Sequence, residues 1–94
     1  MKVRYTITAL GEIDQICSYI AKDNPKAAAD IARAIEHAVA WICENPGGAP
    51  IALENIRAKL IGRYQYRIFY TFDKNELVIR NVRSTKRLRP WELE

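Results

Sequence analysis

The chain has 94 residues, of which 49% are hydrophobic, and its formal net charge at pH 7 is +4. This length is enough for one compact domain and too short for two, and the apolar content excludes a disordered chain because its burial offsets the entropy of ordering. No apolar run approaches the roughly 20 residues of a membrane-spanning helix, and the first residues lack the apolar core of a secretory signal. We therefore expect one folded domain over residues 1–94, in the cytoplasm and without a membrane partner.

The positive charge is concentrated in one third of the chain. Residues 57–89 contain ten Lys or Arg and two acidic residues, whereas residues 1–56 contain five basic and seven acidic residues. Such an asymmetry indicates an anionic partner, either a nucleic acid or an acidic protein. The charge alone does not distinguish these two classes of partner.

The first elements in chain order are a strand and a helix. Apolar and polar residues alternate from Val3 to Ile7, which predicts a half-buried strand over 2–8. From Leu10 onward the apolar residues recur every three or four positions, which predicts an amphipathic helix over 9–22.

A second helix follows almost immediately. Asn24 is a favoured N-cap and Pro25 is tolerated at the first helical position, so this helix should begin there. Its apolar stripe continues to Cys43 and stops before Asn45-Pro46-Gly47-Gly48, a cluster of helix breakers. Because the link between the helices is so short, we expect an antiparallel helix hairpin.

The second half of the chain is predicted to form strands. Residues 52–60 fit both helical and strand spacing, and we favour a strand over about 56–61. Aromatic and β-branched residues alternate over 64–72, a turn follows at 73–75, and a β-rich segment occupies 76–83. The order β-α-α-β-β-β predicts an α+β fold in which the helix hairpin covers one face of an antiparallel sheet.

The basic residues of these last strands suggest a binding surface. Arg67 stands between Tyr66 and Ile68 in an otherwise apolar strand, with no acidic neighbour in sequence. Arginine in such a position can bind phosphates or carboxylates bidentately. We therefore predict a cationic surface on the face of the sheet that the helices do not cover. The candidate binding residues are Arg67, Arg80, Arg83, Lys86, Arg87 and Trp91.

The sequence favours binding over catalysis. It contains no Ser-His-Asp set, no HExxH motif and no Gly-rich phosphate loop. Cys17 and Cys43 fall at helical spacing among apolar residues and are expected to be buried, reduced thiols, and His37 falls on the polar side of the second helix. Since these three residues are not at metal-ligand spacing, we expect no metal and no cofactor.

Five segments of the chain resemble a known family by their order and spacing. They are Thr8-Ala9-Leu10-Gly11-Glu12-Ile13, Ser18-Tyr19-Ile20, Asn24-Pro25-Lys26-Ala27-Ala28, Tyr66-Arg67-Ile68-Phe69-Tyr70 and Val78-Ile79-Arg80-Asn81-Val82-Arg83. They are spread over nearly the whole chain and resemble the RelE/ParE superfamily of bacterial type II toxin–antitoxin toxins. The resemblance implies a small RelE/ParE-like fold.

The helix hairpin with its Asn24-Pro25 restart is most similar to the ParE branch of this superfamily. Members of that branch inhibit DNA gyrase and are neutralised by a ParD-type antitoxin. The resemblance therefore implies a toxin that contacts gyrase as a protein partner and forms a hetero-oligomer with a small, acidic, ParD-like antitoxin. Arg83 occupies the position at which ParE-like chains often carry a His. Direct binding of nucleic acid is left open.

The alternative is the RelE branch, whose members cleave mRNA on the ribosome. In that branch Arg67 would match a functional strand arginine, and Arg57 and Lys59 would match basic residues on the preceding strand. These residues would form a metal-independent endoribonuclease site. Trp91 stands where that branch has a tyrosine, which argues against RNA cleavage. A third interpretation is a family member that binds its antitoxin and has little toxicity.

Overall fold

The structure is a computed structural model that describes residues 1–62 and 64–85. Its elements are β1 (Lys2–Tyr5), α1 (Ile7–Asp23), α2 (Pro25–Glu44), β2 (Ile51–Leu53), β3 (Ile56–Leu60), β4 (Tyr66–Phe72) and β5 (Glu76–Ser84). The strands form one sheet in the order β1-β5-β4-β3-β2. Of the helices in the described part of the chain, neither has the length and apolarity needed to cross a bilayer. The predicted α+β class, with a helix hairpin and a sheet, is confirmed.

The sheet differs from the prediction in two details. First, β1 pairs with β5 in parallel, with Val3 opposite Leu77, so the sheet is mixed and not purely antiparallel. Side chains alternate in the same way in both kinds of pairing, and the sequence pattern therefore does not reveal strand direction. Second, β2 adds a fifth strand that pairs with β3. Its three residues are too few to produce an alternation that can be recognised in the sequence.

The first strand is also shorter than predicted. It ends at Tyr5, and α1 begins at Ile7 instead of residue 9. Thr6 sets this boundary, because its Oγ1 accepts a hydrogen bond from the Ala9 N–H at 3.0 Å and donates one to the Arg80 carbonyl at 2.8 Å. The side chain of Ile7 is 90% exposed, so its place in the apolar alternation was a coincidence.

Asn24 alone connects the two helices. Its N–H donates to the Ile20 carbonyl at 2.9 Å, which ends α1, and its Oδ1 accepts from the Ala27 N–H at 3.0 Å, which begins α2. Pro25 occupies the start of α2, where its missing N–H has no cost. The predicted start of the second helix and the hairpin are both confirmed, and α1 packs against α2.

The hydrophobic core lies between the helix hairpin and one face of the sheet. Most of the helical contribution comes from α2, through Ala28, Ile31, Ile35, Ala38, Val39 and Ile42, whereas Ala9 is the buried residue of α1. The sheet contributes Ile68, Tyr70, Leu77, Ile79 and Val82. Burying each large aliphatic side chain contributes about 1.5–3 kcal/mol, so this layer supplies most of the stability of the fold.

A β-bulge in β5 determines which residues face the core. Phe69 lies opposite Asn81 and Tyr70 lies opposite Ile79, so Arg80 is an extra residue between them. The bulge shifts the alternation of β5 by one position. As a result Val82 joins Ile79 on the core face, and Arg83 lies on the other face.

The turn between β4 and β5 is closed by a carboxylate. The Oδ1 atom of Asp73 accepts hydrogen bonds from the Asn75 N–H at 2.8 Å and from the Glu76 N–H at 2.9 Å. These bonds favour the ionised form and lower the pKa of Asp73. The predicted turn at 73–75 is confirmed.

We expect Asp73 to stabilise the fold at neutral pH and to lose this effect in acid. Because the pKa of this carboxyl is lower in the folded state than in the unfolded state, its contribution is complete above the unfolded pKa and disappears as the pH falls through the folded pKa. Urea unfolding at about pH 7 and about pH 3 should therefore show a larger loss of stability in the wild type than in Asp73→Asn. Equal losses in the two proteins would contradict this role.

Candidate binding surface

The face of the sheet opposite the helices brings three predicted arginines together. Arg67 on β4 lies directly across from Arg83 on β5. Arg80, at the bulge, lies on the same face, where its Nη1 donates to Thr71 Oγ1 at 3.4 Å. We call these three arginines the basic surface. Like charges directly opposite one another destabilise a strand pair, so the arrangement has a cost unless the charges are compensated.

Arg83 is compensated by an acid from α1. Its Nε donates to Oε2 of Glu12 at 2.9 Å, and the two side chains are only 24% and 20% exposed. A partly buried, charge-assisted hydrogen bond of this kind is stronger than an ion pair in open solvent. Arg83 is therefore held in place beside α1.

Glu12 also completes the edge of β5. Its Oε1 accepts hydrogen bonds from the Val82 N–H at 2.9 Å and from Asn81 Nδ2 at 3.4 Å. The pairing of β1 with β5 ends at Ile79, and beyond that point the carboxylate takes the place of a neighbouring strand. Sequence reasoning missed Glu12, because the helical pattern marked it only as polar. Its partners lie about 70 positions away in the chain.

Arg67 has no acidic partner in the described part of the chain. Arg80 has none there either, but it is half-buried and donates to Thr71. The side chain of Arg67 is exposed and borders a groove of about 290 Å³. The other residues of this groove are Pro50, Ile51, Ala52, Ala58 and Leu60. Ile51 and Leu60 are 60% and 48% exposed, so the groove is apolar and accessible. An apolar groove beside a cation is suited to a partner that presents an apolar side chain next to a carboxylate.

Arg57 and Lys59 do not belong to this surface. In β3, Arg57 lies opposite Tyr70 and Lys59 lies opposite Ile68, and both of these β4 residues face the helices. Arg67 is on the other face of the sheet. The structure therefore does not bring together the three residues that a RelE-type cleavage site would require.

Both residues instead contact structural elements on the helix side. The Nη1 atom of Arg57 donates to the Ala49 carbonyl at 2.7 Å and to the Gly47 carbonyl at 3.3 Å, which fastens the loop after α2. The Nζ atom of Lys59 lies 4.2 Å from the ring centroid of Trp41 on α2, a cation–π contact. These contacts account for both side chains without a role in catalysis.

The tyrosine side chains of β4 serve packing. Tyr70 is fully buried, and its hydroxyl donates to the Pro46 carbonyl at 2.6 Å. Burial raises the pKa of Tyr70, so the hydroxyl stays protonated and keeps this bond. Tyr66 is half-buried against the same core. The alternating tyrosines therefore mark the face of β4 that packs against the core.

The two cysteines and the histidine are not grouped into a metal-binding site in the described part of the chain. Cys17 and Cys43 are half-buried thiols, and burial raises the pKa of Cys17, which disfavours the reactive thiolate. His37 is exposed, as expected. Within residues 1–62 and 64–85, no three His, Cys, Asp or Glu side chains are grouped so that they could hold a metal ion. The remaining candidates Lys86, Arg87 and Trp91 lie outside the described residues.

These features define a small α+β domain whose sheet carries a basic surface on the face opposite its helix hairpin. Residues 3–89 match the family described as ParE toxin of type II toxin-antitoxin system, parDE. The protein therefore belongs to the ParE toxin family, and the resemblance to the RelE/ParE superfamily seen in the sequence is confirmed.

Among the proteins similar to this chain, one is a relative in sequence and another is a solved structure. One, from Sinorhizobium fredii (strain NBRC 101917 / NGR234), is named "Putative toxin Y4kP" and is 33% identical over 75 residues, which cover 79% of this chain and 78% of that protein. The other is a chain of a solved structure titled "Chromosomal ParDE TA system from P. aeruginosa". It covers 89% of this chain and 95% of its own length with a TM-score of 0.76 and 19% identity, a likeness of fold.

Proposed function

We propose that this ParE-family toxin inhibits DNA gyrase by protein–protein contact and is neutralised by a ParD-like antitoxin in the cytoplasm. The family match supports the toxin role. The basic surface and the apolar groove beside Arg67 supply the means of binding a protein that combines acidic and apolar side chains.

The observation that carries this proposal is the separation of the basic residues between the two faces of the sheet. RNA cleavage without a metal needs several groups around one phosphate, to activate the nucleophile, stabilise the charge and protonate the leaving oxygen. Arg57 and Lys59 face the helices, whereas Arg67 lies on the opposite face. This geometry favours a docking surface over a RelE-type endoribonuclease.

The antitoxin we propose is a small acidic protein that orders part of its chain on this toxin. Its carboxylates would pair with the basic surface, and its apolar side chains would enter the groove lined by Ile51 and Leu60. The resulting hetero-oligomer would bury the exposed charge of Arg67.

Expression in bacterial cells without an antitoxin tests the proposal. We expect growth arrest with intact ribosome-bound mRNA and with DNA broken in trapped gyrase complexes, and rescue when a ParD-like antitoxin is co-expressed. Codon-associated cuts in mRNA that disappear in Arg67→Ala would support the RelE-type alternative instead. Growth without arrest, from a protein that still binds its antitoxin, would support the interpretation of little toxicity.

A further inference from the structure

We propose that Glu12 is a positioning residue of the basic surface. Its carboxylate holds Arg83 against β5, so that of the facing pair Arg67 and Arg83 it is Arg67 that binds an acidic protein partner. The inference rests on the proposed function for the existence of that partner, and on the contacts of Glu12, Arg83 and Arg67 for the division of roles.

The register of β4 and β5 brings Arg67 and Arg83 together. The bulge at Arg80 shifts the end of β5 by one position and turns Arg83 toward the same face as Arg67, directly across from it. Two guanidinium groups in this relation repel each other, and an acid beside one of them offsets the repulsion. The acid that the fold supplies is Glu12, at 2.9 Å from Arg83.

Glu12 is held in place by its hydrogen bonds to β5. Both of its oxygens are used, Oε1 by the Val82 N–H at 2.9 Å and Oε2 by the Arg83 Nε at 2.9 Å. The start of α1 is itself fixed to β5, because the Thr6 hydroxyl donates to the Arg80 carbonyl at 2.8 Å. The carboxylate is therefore attached to β5 at several points and has little freedom to follow Arg83 toward a ligand.

Glu12 competes with the carboxylates of a partner for Arg83. A carboxylate of a partner that approaches Arg83 must displace Glu12, or share the guanidinium with an acid that is only 20% exposed. At Arg67 no acid of the described residues competes, and the apolar groove offers additional contact area. Arg67 and Arg83 lie across from each other, but Arg83 is already paired with Glu12. Of the two, Arg67 is therefore the one that can pair with a carboxylate of the partner.

Side-chain NMR of the arginine Nε–Hε groups tests this division of roles on the full chain. The probe is a capped hexaglutamate peptide, and the affinity is measured for the wild type, Arg67→Ala and Arg83→Ala. We expect Arg67→Ala to weaken binding of the peptide about tenfold and Arg83→Ala to weaken it less than about twofold.

The variant Glu12→Gln tests the role of the carboxylate. It keeps an oxygen for the Val82 N–H, and the Arg83 Nε–Hε should exchange faster with water. In that background Arg83→Ala should weaken peptide binding by about fivefold or more.

Asp14→Asn is the matched control, because it makes the same change of charge at an exposed position of the same helix. It should leave the Arg83 exchange rate and the ranking of the two arginines unchanged. Equal costs for Arg67→Ala and Arg83→Ala in the wild type would overturn the inference, and so would an unchanged Arg83 exchange rate in Glu12→Gln. A peptide that shifts neither arginine signal at about 1 mM would overturn it as well. Growth arrest and antitoxin binding test the proposed function independently of these peptide and NMR measurements.

Discussion

Arg67→Glu is expected to weaken the complex with the ParD-like antitoxin about ten- to hundredfold. The substitution removes the exposed cation beside the apolar groove and places an acid where the partner's carboxylate should lie. It also places an acid across from Arg83, which relieves the repulsion between the two strands, so the folded state should be as stable as in the wild type. Isothermal titration calorimetry with the antitoxin, together with urea unfolding of the toxin alone, measures both quantities.

Lys26→Glu is the control for this experiment. It reverses a charge at an exposed position of the first turn of α2, on the helix side of the molecule, and changes the net charge by the same amount. Antitoxin affinity should change little in this variant. Similar losses of antitoxin affinity in Arg67→Glu and Lys26→Glu would indicate that binding depends on net charge alone. An unchanged affinity in Arg67→Glu would exclude the basic surface as the contact.

Arg57→Ala is expected to destabilise the fold by about 1.5–3 kcal/mol while leaving the activity of the folded protein intact. The change removes the hydrogen bond of 2.7 Å from Arg57 Nη1 to the Ala49 carbonyl, and it loosens the loop between α2 and β2. The destabilisation should appear in urea unfolding. Toxicity and antitoxin affinity, measured where the variant is still folded, should match the wild type.

Lys59→Ala provides the comparison on the same strand and the same face. It loses the contact with the Trp41 ring, and an exposed cation–π contact contributes about 0.5–1 kcal/mol, so its effect on stability should be smaller than that of Arg57→Ala. If either variant kept the stability of the wild type and lost its toxicity, the residue would have a role in the activity. The RelE-type interpretation would then regain support.

The predictions from sequence succeeded where one local signal dominates. The restart at Asn24-Pro25 specifies a cap and a helix start in two residues, and Asp73 closes its turn through its own carboxylate. The boundary after β1 failed because Ile7 continued the alternation although the Thr6 hydroxyl had already begun the helix. Here a single cap overrides a pattern of apolar residues.

The candidate binding surface was predictable only in part. Arg67 stood out as a cation in an apolar strand, and it is indeed exposed on the face away from the helices. Regular alternation along β5 would have placed Arg83 on the same face as Ile79, and only the bulge at Arg80 reverses this. Glu12 reaches its partners through the packing of α1 on β5, a tertiary contact that no periodicity in the sequence expresses.

A gyrase supercoiling assay with the purified protein decides whether this ParE-family toxin acts on gyrase. We predict that the wild type inhibits supercoiling or accumulates gyrase complexes with cleaved DNA, and that prior addition of the ParD-like antitoxin abolishes the inhibition. The same gyrase preparation must respond to a known inhibitor. Full supercoiling in the presence of a folded, antitoxin-binding toxin would contradict gyrase inhibition as its function.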